Sequence, residues 1–557
     1  MSLYRLGLTL LVSSSTLVAC GDDSSTGGSG GVGGGPGGGG NGGSGGSGAG
    51  GSAPISWEAC DVLEEYPPLK DTPKRAGECT MVSVPLDWEA EDGATLEVFV
   101  KRVRSSVMPP TRQVWLLNGG PGAASEELDP ALLRWADAVP GLEVYTTDFR
   151  GAGLSTPLPC NDSQIAPGLV DDCAANVTRE IGDLNAFTTT QAARDVIELV
   201  ERTRGEAPVM LYGLSFGTFW AHRILQLEPD LFSGAALDSI APPEADFSVY
   251  SPNANQVAQE FFARCELDTT CLSKLGADPW AEVEAFFALP ASSACPGAGV
   301  SQAEWKRFLA QAIRKVQTRP LVPALIYRLL RCAPEDEAAI GHLLDYVGSF
   351  PAEPDSAFHV PLYAHIVLSE LWDLTPLSVA EYAASDQSLL IAPGNTDYFQ
   401  ALWEEWPRTP EDALANQTAS PTTPVLLLQG GLDPQTSKLA ADPFASALEA
   451  QGHSYVVFPD APHAVIGQTP IAGNPTEQCA DLLVRAFIAD PSVTSHSCQA
   501  ELAPLDFGDN VELAAEALGT GSIWENVPVP AGLTERSASR RDIRRALLQL
   551  AAHGLTH

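Results

Sequence analysis

The sequence predicts an α/β protein: a mainly parallel sheet covered by helices on both faces, with a block of helices inserted into it. Two stretches of the chain alternate short apolar runs with amphipathic helical patterns, and glycine-rich turns end several of those runs. Between the two stretches the pattern is helical without a clear strand. Strands that alternate with helices imply parallel pairing with both sheet faces buried.

The first residues set the compartment. Arg5 supplies a positive start, Leu6 to Leu17 is a short apolar run, and small residues precede Cys20. That run is shorter than the roughly 20 residues a spanning helix needs and suits an export signal. Leu17-Val18-Ala19-Cys20 resembles a bacterial lipobox, in which the cysteine becomes the lipidated first residue after cleavage. An ordinary cleaved signal with a chance cysteine is the alternative. Gly21 at the next position, where Asp is absent, implies sorting to the outer membrane. The expected location is the cell envelope, through a lipid anchor, or the exterior.

Residues 21–54 are almost entirely Gly, Ser and small polar residues. Such a linker has nothing to bury and behaves as a coil spanning roughly 30 Å. The expected layout is a signal peptide at 1–20, this linker at 21–54, the first part of the α/β core at 55–241 and a helical cap at 242–420. The second part of the core follows at 421–509, and an extension at 510–557. Lys+Arg 32 against Asp+Glu 70 gives a net charge of −38. That field argues against nucleic acid as a partner.

Beyond Cys20, ten cysteines remain: Cys60, Cys79, Cys160, Cys173, Cys265, Cys271, Cys295, Cys332, Cys479 and Cys498. An even number in an exported chain favours disulfides. Metal ligation is the alternative, but no pair has zinc-site spacing. Pairing between neighbours would staple local loops; the spacing alone does not fix the connectivity. No metal and no cofactor is expected.

The strands expected in the first part of the core are Thr80 to Pro85, Thr95 to Arg104, Gln113 to Leu117, Glu143 to Thr147, Pro208 to Tyr212 and Gly234 to Leu237. Helices are expected over Leu128 to Val139, Thr190 to Arg204 and Thr218 to Leu227. The cap reads as helices over Ala254 to Cys265, Pro279 to Leu289, Gln302 to Val316, Leu321 to Leu330 and Glu335 to Val347. The alternation then resumes with Pro424 to Leu428, Lys438 to Gln451 and Tyr455 to Phe458, and a terminal helix covers Arg536 to Ala552.

Gly213-Leu214-Ser215-Phe216-Gly217 carries the chemistry. The pattern Gly-x-Ser-x-Gly is weak alone, since the linker repeats it at Gly27 to Gly31 and Gly42 to Gly46. Only Ser215 follows a buried-type strand and precedes a helix, the setting of a strained nucleophile turn. A plain strand–helix turn is the alternative. Side chains at Gly213 or Gly217 would crowd the neighbouring strand and helix. A serine hydroxyl needs a base, and that base needs an orienting carboxylate. Asp433 follows one late strand and His463 follows the next, in the order such a site requires. Asp238, after Gly234 to Leu237, is the runner-up acid. Asp460 lies too near His463 in sequence to be placed separately, and His453, His496 and His553 read as surface or capping residues. Backbone N–H donors for an oxyanion are expected from Phe216 and from the loop Gly119-Gly120-Pro121-Gly122, at Gly120.

These segments resemble the proline iminopeptidase and tripeptidyl aminopeptidase family of α/β-hydrolases. The likeness rests on Leu117-Asn118-Gly119-Gly120-Pro121-Gly122, Asp148-Phe149-Arg150-Gly151-Ala152-Gly153-Leu154-Ser155, Tyr212 to Thr218 and Gly431-Leu432-Asp433. Cys60 and Cys79 leading into Val84-Pro85-Leu86-Asp87-Trp88, with the late pair Cys479 and Cys498, resemble its secreted tripeptidyl aminopeptidase branch. The resemblance runs from 57 to 507, least in the cap, and implies a serine exopeptidase acting on peptides with a free N-terminus. It implies Ser215, Asp433 and His463 as the triad and a structural role for Asp148 and Arg150, bracing the glycine loop. Asn118 stands where proline iminopeptidases carry histidine, which favours the tripeptidyl branch. Ala461-Pro462 before His463 departs from the usual Gly-x-Gly.

Aminopeptidases of this kind hold the substrate ammonium with cap carboxylates. Glu370, followed by Trp372 as a possible apolar wall, is the candidate, with a solvated helix face as the alternative. Two other functions stay open: an esterase or lipase using the same triad, and a non-catalytic surface binding protein.

The lipobox gives a direct prediction. A Cys20→Ser form loses its lipid and leaves the membrane fraction; wild-type protein found wholly soluble after export would overturn the anchor.

Overall fold

The computed structural model describes residues 55–64, 73–90, 93–290, 295–349, 357–533 and 538–554. The expected signal, Cys20 and the linker lie outside the described residues. The sheet contains β1 (Glu58–Leu63), β2 (Lys74–Pro85), β3 (Thr95–Val103), β4 (Arg112–Leu117), β5 (Leu142–Thr147), β6 (Val209–Leu214), β7 (Gly234–Asp238), β8 (Val425–Gly430) and β9 (Ser454–Phe458). Its spatial order is β1-β2-β3-β5-β4-β6-β7-β8-β9. The first three strands form an antiparallel meander that joins β5 antiparallel. From β5 through β9 all pairs are parallel. The chain steps from β4 to β5 on one side and to β6 on the other, so the order reverses at β4. In open parallel sheets, ligands bind outside the carboxyl ends of strands at such a point.

Alternation along each strand builds the two layers. Trp115, Leu117, Leu211, Leu237 and Leu427 face one side, packed on α3 (Thr189–Thr203), α4 (Phe216–Leu227) and α14 (Lys438–Glu449). Val114, Leu116, Met210, Tyr212 and Leu428 face the other, packed on α1 (Asp129–Ala138) and α15 (Cys479–Ala489). Both faces are therefore dry, which is why these strands read as continuous apolar runs.

Between β7 and β8 lie α5 (Tyr250–Cys265), α6 (Thr269–Leu275), α7 (Pro279–Ala288), α8 (Gln302–Ala312), α9 (Leu321–Arg331) and α10 (Pro334–Gly348). They are followed by α11 (Val360–Glu370), α12 (Val379–Ser388) and α13 (Thr396–Glu405). The stretch 242–420 does not pack as one body. Helices α5 to α10 share a core with Phe507, Leu513, Trp524 and the terminal helix α17 (Ala538–Gly554). Leu362 and Ile366 of α11 and Leu402 of α13 belong to the core of the sheet layer. Helix α8 is also shorter than the pattern 302–316 predicts: it stops at Ala312, and residues 313–320 are turns. The hydroxyl of Thr318 donates to the Ala312 carbonyl (2.7 Å), satisfying one of the acceptors a helix end leaves open.

All ten described cysteines are disulfide-bonded between neighbours: Cys60–Cys79, Cys160–Cys173, Cys265–Cys271, Cys295–Cys332 and Cys479–Cys498. The metal-ligand alternative for them is thereby removed. Among the described residues no helix is long and apolar enough to cross a membrane.

The motif Asp148 to Ser155 divides its work. Asp148 does brace the glycine loop, accepting from Ser125 N (2.6 Å) and Leu154 N (2.7 Å). Arg150 does not touch that loop. Its fully buried guanidinium pairs with both carboxylate oxygens of Asp195 and donates to the carbonyls of Pro85, Leu86 and Ala186. It ties β2 to α3 instead. Arg150→Met leaves the Asp195 carboxylate buried without its cation and costs about 3–5 kcal/mol. Urea unfolding of the variant checks this; a loss under about 1 kcal/mol, the value of an exposed pair, would overturn it.

Candidate active site

Ser215 sits between the end of β6 and the first residue of α4, with φ 57° and ψ −125°. A non-glycine residue held at positive φ is strained, and the strain lifts its side chain above the strand end. The flanking glycines make that turn sterically feasible. A Cβ on Gly213 would meet the Gly217 carbonyl oxygen at 2.3 Å, and one on Gly217 would meet the Leu117 carbonyl oxygen at 2.2 Å. Ser215 N donates to the Asp238 carbonyl (2.9 Å), fixing the turn to β7.

The glycine loop after β4 lies against the serine. A Cβ on Gly119 would fall 2.8 Å from Ser215 Cβ and 3.2 Å from Ser215 Oγ. Gly120 lines the cavity in front of Ser215 at φ +110°. Phe216 opens α4, so its N–H belongs to the first turn, which has no acceptor within the helix. Asn118 Nδ2 donates to the Ala124 carbonyl (2.7 Å) and closes the loop on itself. Gly122 serves a different purpose from the one its motif suggested. Its missing Cβ makes room for the His359 carbonyl, 2.8 Å away, and its own carbonyl accepts from His359 N (2.9 Å). It docks the inserted helices onto the loop; it does not expose backbone to substrate.

Asp433 and His463 come together. His463 Nδ1 lies 2.8 Å from Asp433 Oδ2 and 3.0 Å from Oδ1. Asp433 is fully buried and also accepts from the N–H groups of Gln435 (2.8 Å) and Thr436 (3.0 Å) and from the Thr436 hydroxyl (2.9 Å). Two glycines allow the pairing: a Cβ on Gly431 would strike the Pro459 carbonyl oxygen at 2.1 Å, and one on Gly430 the Ala461 carbonyl oxygen at 2.5 Å. With Nδ1 turned to Asp433, Nε2 is the nitrogen left for a serine. Ser215 and His463 line one cavity of about 290 Å³. Among the described residues no hydrogen bond joins Ser215 Oγ to His463; such contacts often tighten only when substrate binds.

Asp238, the runner-up acid, holds the histidine loop from behind. It is fully buried and accepts from Val465 N (2.9 Å), Ile466 N (3.1 Å), Tyr212 OH (2.9 Å) and Ser239 Oγ (2.9 Å). Burial pushes its pKa up, and these donors pull it back. Asp460 points away, paired with Arg264 at 3.2 Å.

Glu370 is not where the cap reading put it. It lines a second cavity of about 280 Å³, with Arg223 and Asp412, and not the one holding Ser215. Its Oε1 accepts from Thr189 N (2.8 Å) at the start of α3, and burial pushes its pKa up. The carboxylate therefore caps a helix of the sheet layer. Trp372 does line the Ser215 cavity, and it lines the second cavity as well. Among the described residues the carboxylate lining the Ser215 cavity is Glu127, in the short 3-10 helix Ser125–Leu128 after the glycine loop. Arg314 and Lys315 line it too, with Ala546 and Leu550 of α17. Sequence reasoning missed all five. No local pattern in the sequence marks any of them.

Comparisons with known proteins bear on the fold. Residues 114–274 match the family described as alpha/beta hydrolase fold, and residues 396–498 match the family described as TAP-like protein. A tripeptidyl aminopeptidase of Streptomyces lividans is 26% identical over 37% of this chain and 41% of its own length. One from Streptomyces coelicolor matches to the same extent. The chain thus spans about 41% of the length of the curated relatives it matches. Among solved structures, a thermophilic esterase from Thermogutta terrifontis is similar at a TM-score of 0.30 and 15% identity, over 75% of this chain and all of the other. From its sheet, its serine turn and both family matches, the chain has the α/β-hydrolase fold and is similar over its later part to TAP-like proteins.

Proposed function

We propose that the protein is a serine exopeptidase that hydrolyses peptide bonds near free N-termini, in the manner of a tripeptidyl or prolyl aminopeptidase. The observation that carries the proposal is the strained Ser215 turn opening into the same cavity as the His463–Asp433 pair. The curated relatives named tripeptidyl aminopeptidase support it.

In this reading His463 Nε2 takes the proton of Ser215 as its oxygen attacks the scissile carbonyl. The buried Asp433 holds the ring in the tautomer with its free nitrogen toward the serine. The N–H groups of Gly120 and Phe216 stabilise the oxyanion. The imidazolium then protonates the leaving amine, and water, activated by the same histidine, releases the acyl group. Glu127 takes the place of Glu370 as partner for the substrate ammonium, since a charged amine in an enclosed site needs a carboxylate. Export is part of the proposal: the protein is held in the cell envelope through Cys20, or released outside. Five disulfides fit an oxidising compartment.

Ser215→Ala and His463→Ala each lower kcat by several orders of magnitude, and the double variant is scarcely worse, because the residues act as a unit. Fluorophosphonate labelling disappears in Ser215→Ala. Additive losses, or labelling that persists, would remove the triad.

Peptides with a free amine are cleaved faster than their acetylated forms, and Glu127→Gln raises KM for the free-amine series about tenfold or more, the value of one charged hydrogen bond. Acetylated peptides cleaved as fast as free ones, beside rapid cleavage of short acyl esters, would replace the exopeptidase with an esterase.

A further inference from the structure

We infer that Lys315 and Arg314 form a subsite for a carboxylate of the substrate, on the wall of the cavity that holds Ser215. The inference deepens the exopeptidase reading and rests on it in taking peptides as the source of that carboxylate.

Both side chains line the cavity together with Ser215 and His463. Among the described residues neither forms an ion pair. The buried cations Lys101, Arg150 and Arg328 do, with Asp129, Asp195 and Asp336. Two adjacent half-buried cations against one carboxylate, Glu127, leave positive charge only partly offset, and a ligand carboxylate would complete the pairing. The chain has 70 Asp and Glu against 32 Lys and Arg, so internal carboxylates were abundant. With Glu127 the single carboxylate among the described residues lining the cavity, these two cations leave positive charge in excess, which points to an anionic group from outside.

The pair is also held in place. Val316 N donates to Gln468 Oε1 (2.8 Å), pinning the turn to the segment that follows His463. Arg319 Nη1 donates to the Asp460 carbonyl (2.5 Å), on the near side of the same histidine. The guanidinium of Arg314 donates to the hydroxyl of the half-buried Tyr250 and lies 5.8 Å from its ring centroid. Burial pulls the Lys315 pKa below the usual lysine value, Glu127 pushes it back, and the Arg314 charge adds to the depression. An arriving carboxylate would offset both effects. Glu127 and the cation pair then recognise opposite charges within one cavity, which suits a short peptide better than a neutral ester.

Three matched pairs test this by kcat/KM. Tetra-alanine against its C-terminal amide probes a terminal carboxylate. Ala-Ala-Glu-p-nitroanilide against Ala-Ala-Gln-p-nitroanilide probes a side-chain carboxylate. Mono-4-nitrophenyl glutarate against 4-nitrophenyl valerate probes a carboxylate without any peptide. The wild-type protein prefers the acid in one peptide pair by about tenfold or more, as a charged hydrogen bond gives. The acid-to-neutral ratio falls towards one in Lys315→Met and in Arg314→Met, and stays high in Lys315→Arg; fluorophosphonate labelling confirms that each variant is folded. Ratios within twofold in every pair for the wild type, or a preference that survives in both methionine variants, would overturn the subsite. If no peptide is cleaved while esters are, the exopeptidase reading falls, and the glutarate-to-valerate ratio still decides the subsite.

Discussion

Because Gly213 and Gly217 carry no Cβ, the turn that holds Ser215 can rest on the carbonyl of Leu117 at the end of the neighbouring strand. Much else in the site follows from that contact. It sets the end of β6 against the end of β4, so the loop leaving β4 must pass beside the serine, and Gly119 passes there without a side chain. It also forces Ser215 to positive φ, since a relaxed turn would carry the serine away from β7, whose Asp238 carbonyl holds its N–H. The strain is sustained by these surroundings, and the same surroundings aim the hydroxyl into the cavity.

Three buried aspartates then divide the remaining tasks, and each is defined by its donors. Asp148 accepts backbone N–H groups from Ser125 and Leu154 and fixes the chain just beyond the glycine loop. Asp238 accepts from Val465 and Ile466 and fixes the chain just beyond His463, where Ala464 turns at φ 64°. Asp433 alone adds an imidazole to its backbone donors. An ionised carboxylate is a good receiver for converging N–H groups, and burial strengthens each such bond while making a missing one expensive. A strongly acidic chain places these few carboxylates inside because each is saturated with donors.

The sheet and the candidate residues Ser215, Asp433 and His463 were legible because their signals are local. A strand of apolar residues, a loop and a named residue suffice to place Ser215, Asp433 and His463 at one sheet edge. Glu370 was misplaced because only tertiary packing decides the side of Trp372 on which its carboxylate falls. The sequence of α11 reads alike for either side. Lys315 and Arg314 were hidden for a different reason. An apolar periodicity that continues past Ala312 suggests helix through Val316, and nothing local announces that Thr318 will take the Ala312 carbonyl and end it. Arg150 shows the limit of motif reading: its place beside Asp148 in sequence suggested a shared task, yet it serves β2 and α3.

The inserted helices and the extension share one core, and this bears on how the cavity is closed. Leu547 and Ile543 of α17 are buried among α5 to α10, while Ala546 and Leu550 of the same helix line the cavity. Arg540 and Arg544 clamp Glu516, at 2.7 and 2.5 Å, and so hold α17 to the π-helical turn Ala514–Leu518. A helix with one face in the core and the next in the cavity cannot shift without disturbing both. The wall opposite the sheet is thus made by a segment outside either family match. Cavity shape in this chain depends on its last helix as well as on the insertion, because residues of both line it beside those of the α/β core.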